Sequence, residues 1–292
     1  MAALAGPQTR THITHHRSHL GEWESIKRAP DPRLVGYVMG YEGYVEHATA
    51  FSRRMEVPSV VIPWIINFGP KYIVSGPGNR AASNTYGSFV AGFIDSHVIV
   101  EATGLANCIQ VNFTPIGGHL FLGMPMQEFT NRTVRFEDVV GARERRLVAQ
   151  LEDTPDWDAR FALLDTFIAD RIALASSPSP EIVWAWRQIE ETGGAASIGA
   201  LASEIGWSRK HLIARFREHV GLPPKAVARI IRFDRAVRQL DGADPERLAR
   251  VAAGCGYYDQ AHFNRDFRAF TGGTPTEFLA RRIADGGGLL GD

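Results

Sequence analysis

Cysteine is nearly absent from this chain. Its two thiols, Cys108 and Cys255, fall in different halves with no Cys-x-x-Cys pair and no zinc-ligand spacing. That excludes a disulfide framework and leaves two buried apolar fillers in a reducing cytosol as the simplest reading. Long apolar runs are missing too: no stretch approaches about 18 uncharged apolar residues, and the N-terminus has no apolar core of signal-peptide type, so a cytoplasmic protein without a membrane span is expected. Net charge is also lacking, since 32 Lys plus Arg balance 32 Asp plus Glu, which argues against a protein that coats nucleic acid over its whole surface. No nucleophile elbow, phosphate loop or His-Glu-x-x-His pattern occurs, so no catalytic motif presents itself.

What is present is a repeat. Gly206-Trp207-Ser208, Phe216, Gly221 and Pro224 recur as Gly256-Tyr257-Tyr258, Phe267, Gly272 and Pro275, at offsets of 50 and then 51 residues. An internal repeat is an architectural statement. A small residue precedes each turn glycine by four positions, Ala202 and Ala252, as close crossing of two helices demands, and glycine supplies the positive φ of the turn. These features mark two helix-turn-helix units and a protein that reads DNA. The charge is distributed accordingly: residues 206–282 carry 15 Lys plus Arg against 8 Asp plus Glu.

The 292 residues suggest about two domains. The expected fold class is α+β: a β-rich barrel or sandwich, cupin-like, with a helical connector, followed by an all-α domain of two helix-turn-helix units. Residues 1–30 read as a flexible segment; His15 and His19, four apart, would share one face if this stretch were helical. Residues 31–175 read as the β-rich effector-binding or dimerisation domain. Short β-branched and aromatic runs occupy it to about 136, and helical periodicity follows from about 138, with Asp156 as an N-cap before Trp157. A barrel of this size can enclose one small ligand. Trp64, Phe68, Tyr72, Tyr86 and Phe93, together with Phe89 and Phe113, are candidates to line it, against ordinary core packing for each. Residues 176–180, Ser-Ser-Pro-Ser-Pro, form the linker. Residues 181–283 are the double helix-turn-helix domain and 284–292 a flexible tail.

Within the repeat, a helix from Pro224 to Leu240 joins the units, about 25 Å long at 1.5 Å per residue. Arg229, Arg232, Arg235 and Arg238 lie off its apolar stripe, as a solvated face or as phosphate contacts. The first recognition helix should run from about Ser208, its N-cap, to His219. Leu212 and Phe216 then face inward, leaving Arg209, Lys210, Ile213, Ala214 and Arg217 for the groove. In the second unit Phe263 and Phe267 face inward, and Gln260, His262, Asn264, Arg265 and Arg268 face out. Arginine and lysine suit guanine edges, Gln and Asn suit adenine, and Ile or Ala can meet a thymine methyl. Arg265 is the first choice among them.

Ile198, Leu201, Ala202, Gly206, Trp207, Ser208, Leu212, Phe216, Gly221 and Pro224 carry a wider pattern. Ala249, Ala252, Gly256, Tyr257, Phe263, Arg265, Phe267, Thr274 and Pro275 continue it. On these residues the segment from about 181 to 282 resembles the DNA-binding domain of AraC/XylS-family transcription regulators. The resemblance implies that one chain docks both helices along one face of double-stranded DNA, with base contacts at Lys210, Ile213, Ala214, Gln260, His262, Asn264 and Arg265. It departs from the family at Ile213 and Ala214, where relatives often place polar readers. More loosely, Val111-Asn112-Phe113-Thr114-Pro115 followed by Gly123 resembles the sensor half of such regulators, which binds a small effector or dimerises. Activation is the family tendency. RNA polymerase and a second copy of the chain are further partners this reading allows, and no cofactor is implied.

Two other readings stay open at this point. One is a metal-dependent barrel enzyme using His47, His97, His119, Glu101 and Asp95. The other is a constitutive DNA-binding protein whose N-terminal domain only dimerises; a bare pair of helix-turn-helix units would not need so large a barrel.

Overall fold

Alternation along the strands decides which side chains face the helices and which face the interior of the N-terminal half. The computed structural model describes residues 11–18, 21–46, 52–76, 85–102, 105–240, 245–283 and 288–291. Its strands are β1 (His12–Ser18), β2 (Gly21–Arg28), β3 (Val38–Glu46), β4 (Ser52–Glu56), β5 (Ile62–Asn67), β6 (Tyr72–Ser75), β7 (Thr85–Tyr86), β8 (Phe89–Ala91), β9 (Val98–Ala102), β10 (Asn107–Phe113) and β11 (Thr133–Arg135). Among the described residues they form a seven-stranded sheet in the order β1-β2-β3-β10-β5-β8-β11 and a four-stranded sheet in the order β4-β9-β6-β7. One face of the larger sheet presents Ile26, Tyr41, Trp64, Ile66, Ile109, Val111 and Phe113, all buried. The intervening residues, among them Ser25, Glu42, Tyr44, Ile65, Cys108 and Gln110, turn toward the smaller sheet and border a cavity.

Helices cover the apolar face. They are α1 (Pro115–Leu122), α2 (Phe136–Val140), α3 (Ala142–Asp153) and α4 (Trp157–Ala173). Trp64 packs against Phe136 and Phe121 with ring centroids 4.3 and 5.0 Å away. Trp157 lies on Gly43, where an added Cβ would come within 2.5 Å of the indole, so only glycine admits the helix this close. Asp156 caps α4 as expected, accepting from the Ala159 amide at 2.8 Å. From the middle of α4, Asp165 accepts hydrogen bonds from the Tyr41 hydroxyl (2.7 Å) and the Asp31 amide (2.9 Å), and it pairs with Arg28. Helix to sheet is thus fixed by one buried carboxylate as well as by aromatic packing.

Three expectations change here. Residues 12–18 and 21–28 of the segment expected to be flexible are strands, paired along their whole length, because Trp23 and Ile26 are driven into the interior. His15 therefore lies on a strand, with its Nδ1 3.3 Å from the Glu24 carboxylate, and not on a helical face; His19 lies outside the described residues. Helix α1 replaces what reads as a mere change of texture: Thr114 caps it, accepting from the Gly117 amide at 3.0 Å. Finally, residues 288–291 of the expected loose tail pair with β4. The Met55 amide donates to the Leu289 carbonyl and the Gly291 amide to the Arg53 carbonyl, each at 2.9 Å, so the exposed edge of β4 finds partners.

Residues 176–179 make a short non-helical connection to the C-terminal helices α5 (Pro180–Glu191), α6 (Ile198–Glu204), α7 (Arg209–Val220), α8 (Pro224–Gln239), α9 (Pro245–Gly254), α10 (Gln260–Thr271) and α11 (Pro275–Ala280). Pro224 opens α8, where its missing amide costs nothing. Ile230 and Phe233 of α8 are fully buried, as the apolar stripe predicts.

Candidate nucleic-acid interface

The two units close in the same way. Gly206 and Gly256 have φ of +73° and +79°. The next residue in each case bonds back to the small residue of the preceding helix: the Trp207 amide to the Ala202 carbonyl at 2.9 Å, the Tyr257 amide to the Ala252 carbonyl at 3.1 Å. This satisfies helix-end carbonyls and reverses the chain. A Cβ would meet nothing within 4 Å at Gly206 and only ordinary contact with Arg232 Cδ, at 3.7 Å, at Gly256, so conformation and not crowding demands glycine there. The following helices are capped alike, with the Ser208 hydroxyl accepting from the His211 amide (3.2 Å) and the Asp259 carboxylate from the His262 amide (2.6 Å). Leu212, Phe216, Phe263 and Phe267 are fully buried, as the pattern predicts.

Of the outward residues, Arg209, Lys210, Ile213, Ala214 and Arg217 on α7 are exposed, as are Gln260, Arg265 and Arg268 on α10. Asn264 and His262 are half-buried. The His262 ring packs edge-on to Tyr257, centroids 5.3 Å apart, with Nε2 3.9 Å from the Asp266 carboxylate.

The arginines of α8 all have partners within the protein. Arg229 donates to Asp266 of α10 at 2.7 and 3.1 Å, and Arg232 donates to the Gly194 carbonyl at 2.7 Å. Arg238 pairs with Asp234 at 2.6 Å, and the Arg235 guanidinium lies against Gly193. Arg229 thus ties α8 to α10, Arg232 and Arg235 reach the loop at Gly193–Gly194, and Arg238 stays on the exposed face of α8, distinctions that sequence spacing alone cannot make. The partner residue Asp266 sits in the second helix between Arg265 and Phe267, where a buried carboxylate leaves no periodic signal.

The helix-turn-helix domain is docked on the sheet domain through the rear of α7. The Thr130 hydroxyl donates to the Gly221 carbonyl at 2.9 Å, and the His219 and His119 rings lie 4.6 Å apart. Burial, and then the neighbouring His219, lowers the His119 pKa. His97 lies against Gly272 at the end of α10. Docking leaves the outward side chains of both helices free.

The second candidate site is the cavity between the sheets, about 630 Å³, within the range of small-molecule pockets. Of the aromatics expected to line it, Tyr72 and Phe89 do. Trp64, Phe93 and Phe113 belong to the helix-covered core, Phe68 lies under the Arg160 guanidinium, and Tyr86 packs behind Phe89. Alternation explains the miss: in β5 Trp64 and Ile66 face the helices, while Pro63 and Ile65 face the cavity. The polar lining, Glu42, Tyr44 and Glu46 on β3, is spaced two apart, and that was the legible signal. Cys108 also lines it, its thiol pushed up to about 11 by burial.

The residues of the metal-enzyme reading are dispersed. His97 and His119 sit at the domain contact, Glu101 pairs with Arg53 at 3.0 Å, and the Asp95 amide donates to the Asn131 side chain; His47 lies outside the described residues. Among the described residues, no helix is long and apolar enough to cross a membrane.

Two capped helices presented by matching glycine turns define a double helix-turn-helix protein. Residues 201–281 match the Helix-turn-helix domain family, and residues 26–135 match a domain of unknown function, DUF6597. The HTH-type transcriptional activator RhaS of Escherichia fergusonii is 25% identical over 191 residues, 65% of this chain and 58% of that protein. ToxT of Vibrio cholerae, in a structure at 1.65 Å resolution, aligns over 82% of this chain and 98% of its own, at 10% identity and a TM-score of 0.47. The AraC-like transcriptional activator CuxR aligns over 79% and 81%, at 13% identity and a TM-score of 0.28. Residues 201–281 thus form a helix-turn-helix domain, and the chain spans 58% of the length of the RhaS relative that it resembles.

Proposed function

We propose that the chain binds double-stranded DNA sequence-specifically, placing α7 and α10 in successive major-groove segments about 34 Å apart, and adjusts transcription when a small molecule enters the cavity between the sheets. The observation that carries the reading is the pair of exposed side-chain rows. Arg209, Lys210 and Arg217 stand on one helix and Gln260, Arg265 and Arg268 on the other, each on a helix whose opposite face is locked into one core. Asn264 and His262 border the second row; Ile213 and Ala214 suit thymine methyls. Two routes connect cavity to DNA: Gly288, in the segment that follows the helix-turn-helix domain, borders the cavity, and α7 rests on the sheet domain. A ligand that favours one docked arrangement would shift the population of DNA-competent chains across the 176–180 connection. Activation, as in the name of the RhaS relative, contact with RNA polymerase and a homodimer belong to the same proposal.

The test is enrichment of intact protein on a pool of random duplexes, repeated with Arg265→Ala and at several salt concentrations. A motif spanning two major-groove segments is expected. Arg265→Ala should weaken binding to it by about 1–3 kcal/mol, roughly 5- to 150-fold, and relax the preference at one position. Binding without any motif, equally strong in the variant, would overturn the reading.

A further inference from the structure

The two units match at an offset of 50 residues up to the turn and of 51 from the caps onward, so one residue is inserted between turn and cap in the second unit. Asp259 caps α10 as Ser208 caps α7, and Tyr257 closes its turn onto Ala252 as Trp207 closes onto Ala202. The extra residue is therefore Tyr258. Trp207 is half-buried and its ring meets His211 of its own helix at 4.5 Å, and Tyr257 is buried and packs on Phe263 at 5.1 Å. Tyr258, by contrast, is 93% exposed, an aromatic ring that adds no burial to the fold and stands two residues before Gln260.

Arg209, which opens α7, is held differently from the residues after it. Its guanidinium lies over Gly199 in the first turn of α6, where an added Cβ would run into it. Among the described residues no carboxylate pairs with it, whereas Arg229 and Arg238 of α8 each have one. Arg209 is thus a positioned cation without an anion, drawn back over α6.

We propose that Arg209 and Tyr258 grip the sugar-phosphate backbone at the entrance of the two recognition helices, and that base reading falls to the side chains that follow them. A helix-turn-helix unit lays its first helix across the backbone and points the start of its second into the groove. A guanidinium lying on α6 then stands beside a phosphate and not a base edge. A phenol ahead of the α10 cap meets the strand that borders the groove, where tyrosine hydroxyls donate to phosphate oxygens. Gln260, Arg265 and Arg268, exposed on the helix that Tyr258 precedes, make DNA its partner in preference to another protein. The inference rests on reading α7 and α10 as the groove helices.

Affinity of the full chain for the enriched duplex and for a scrambled duplex of the same composition, measured across salt concentrations, tests it. Arg209→Ala should weaken both by a like factor, about tenfold, flatten the slope of log K against log salt by about 0.9 and leave the enriched motif unchanged. Gly199→Ala displaces the guanidinium while keeping its charge and favouring the helix, and should lose part of the same affinity. Tyr258→Ala should weaken both duplexes about fivefold with the salt slope unchanged, because its donor carries no charge; Tyr258→Phe should recover only what the ring contributes. Thermal melts of all four variants are expected at the wild-type temperature. An altered motif or wild-type affinity in Arg209→Ala would overturn its assignment to the backbone. Wild-type affinity in Tyr258→Ala would overturn the other and direct that ring to a protein partner. A wild-type chain that binds neither duplex sinks the groove reading itself, whereas binding that every variant leaves intact sinks this inference alone.

Discussion

Arg229→Met is expected to cost about 2–4 kcal/mol of stability and to weaken DNA binding out of proportion to its distance from the groove. Asp266 is 3% exposed, and among the described residues its close cation is Arg229, whose guanidinium also covers the Phe270 ring at 5.1 Å. Removing that guanidinium strands a carboxylate in the core of the second unit, and His262 at 3.9 Å is too distant to replace it. The figure lies toward the lower end for buried pairs because the Arg229 side chain keeps 37% exposure and water can reach the gap. Asp266 belongs to the same helix as Arg265 and Arg268, so a shifted α10 re-aims both. Adding Asp266→Asn removes the stranded charge, and the double variant should recover at least half of the loss in urea unfolding. Wild-type stability in Arg229→Met would show that the pair contributes nothing, and equal losses in single and double variants would show that packing, not charge, is at stake.

Much of the helical half was legible because its signals are local. Glycine with a positive φ, a small residue four positions earlier and a buried phenylalanine at a fixed distance are each set by short-range geometry, so Gly206, Ala202 and Phe216 could be placed without the fold. Ser208 and Asp156 were legible as caps for the same reason. The protein partners of the α8 arginines were not, since solvated, phosphate-bound and protein-paired arginines occupy the same helical positions, and Asp266 of α10 and the loop at Gly193–Gly194 are distant in sequence. In the sheet domain the strands could be located from β-branched runs, but which face meets the cavity depends on the second sheet and on the covering helices. Hence Trp64 reads as plausibly as Tyr72 for a lining residue. The strands at 12–18 and 21–28 and the pairing of 288–291 with β4 depend on partners far away in sequence, and polar composition concealed them.

Asp165→Ala should produce the largest loss of stability outside the aromatic core. The wild-type carboxylate, 5% exposed, takes the Arg28 guanidinium, the Tyr41 hydroxyl and the Asp31 amide, which come from the end of β2, from within β3 and from the turn after β2. Its removal leaves Arg28, 10% exposed, as an uncompensated buried cation and the Tyr41 hydroxyl without an acceptor. A broken buried pair costs about 3–5 kcal/mol, and in a chain of this size that lowers Tm by roughly 6–20 °C. Asp165→Asn keeps an acceptor oxygen for Tyr41 but not the charge for Arg28, so an intermediate loss is expected. Arg28→Met with Asp165→Leu removes both charges together and should come much closer to the wild type than Asp165→Ala does. Thermal melts of the four proteins decide the matter. If Asp165→Ala and the double variant melt together, the carboxylate acts only as a hydrogen-bond acceptor. If all melt with the wild type, α4 is held to the sheet by Phe161 and its neighbours alone. The expected order, with Asp165→Ala lowest, would identify a polar anchor between α4 and the sheet whose other face lines the cavity, and thereby an element that holds the cavity wall in place.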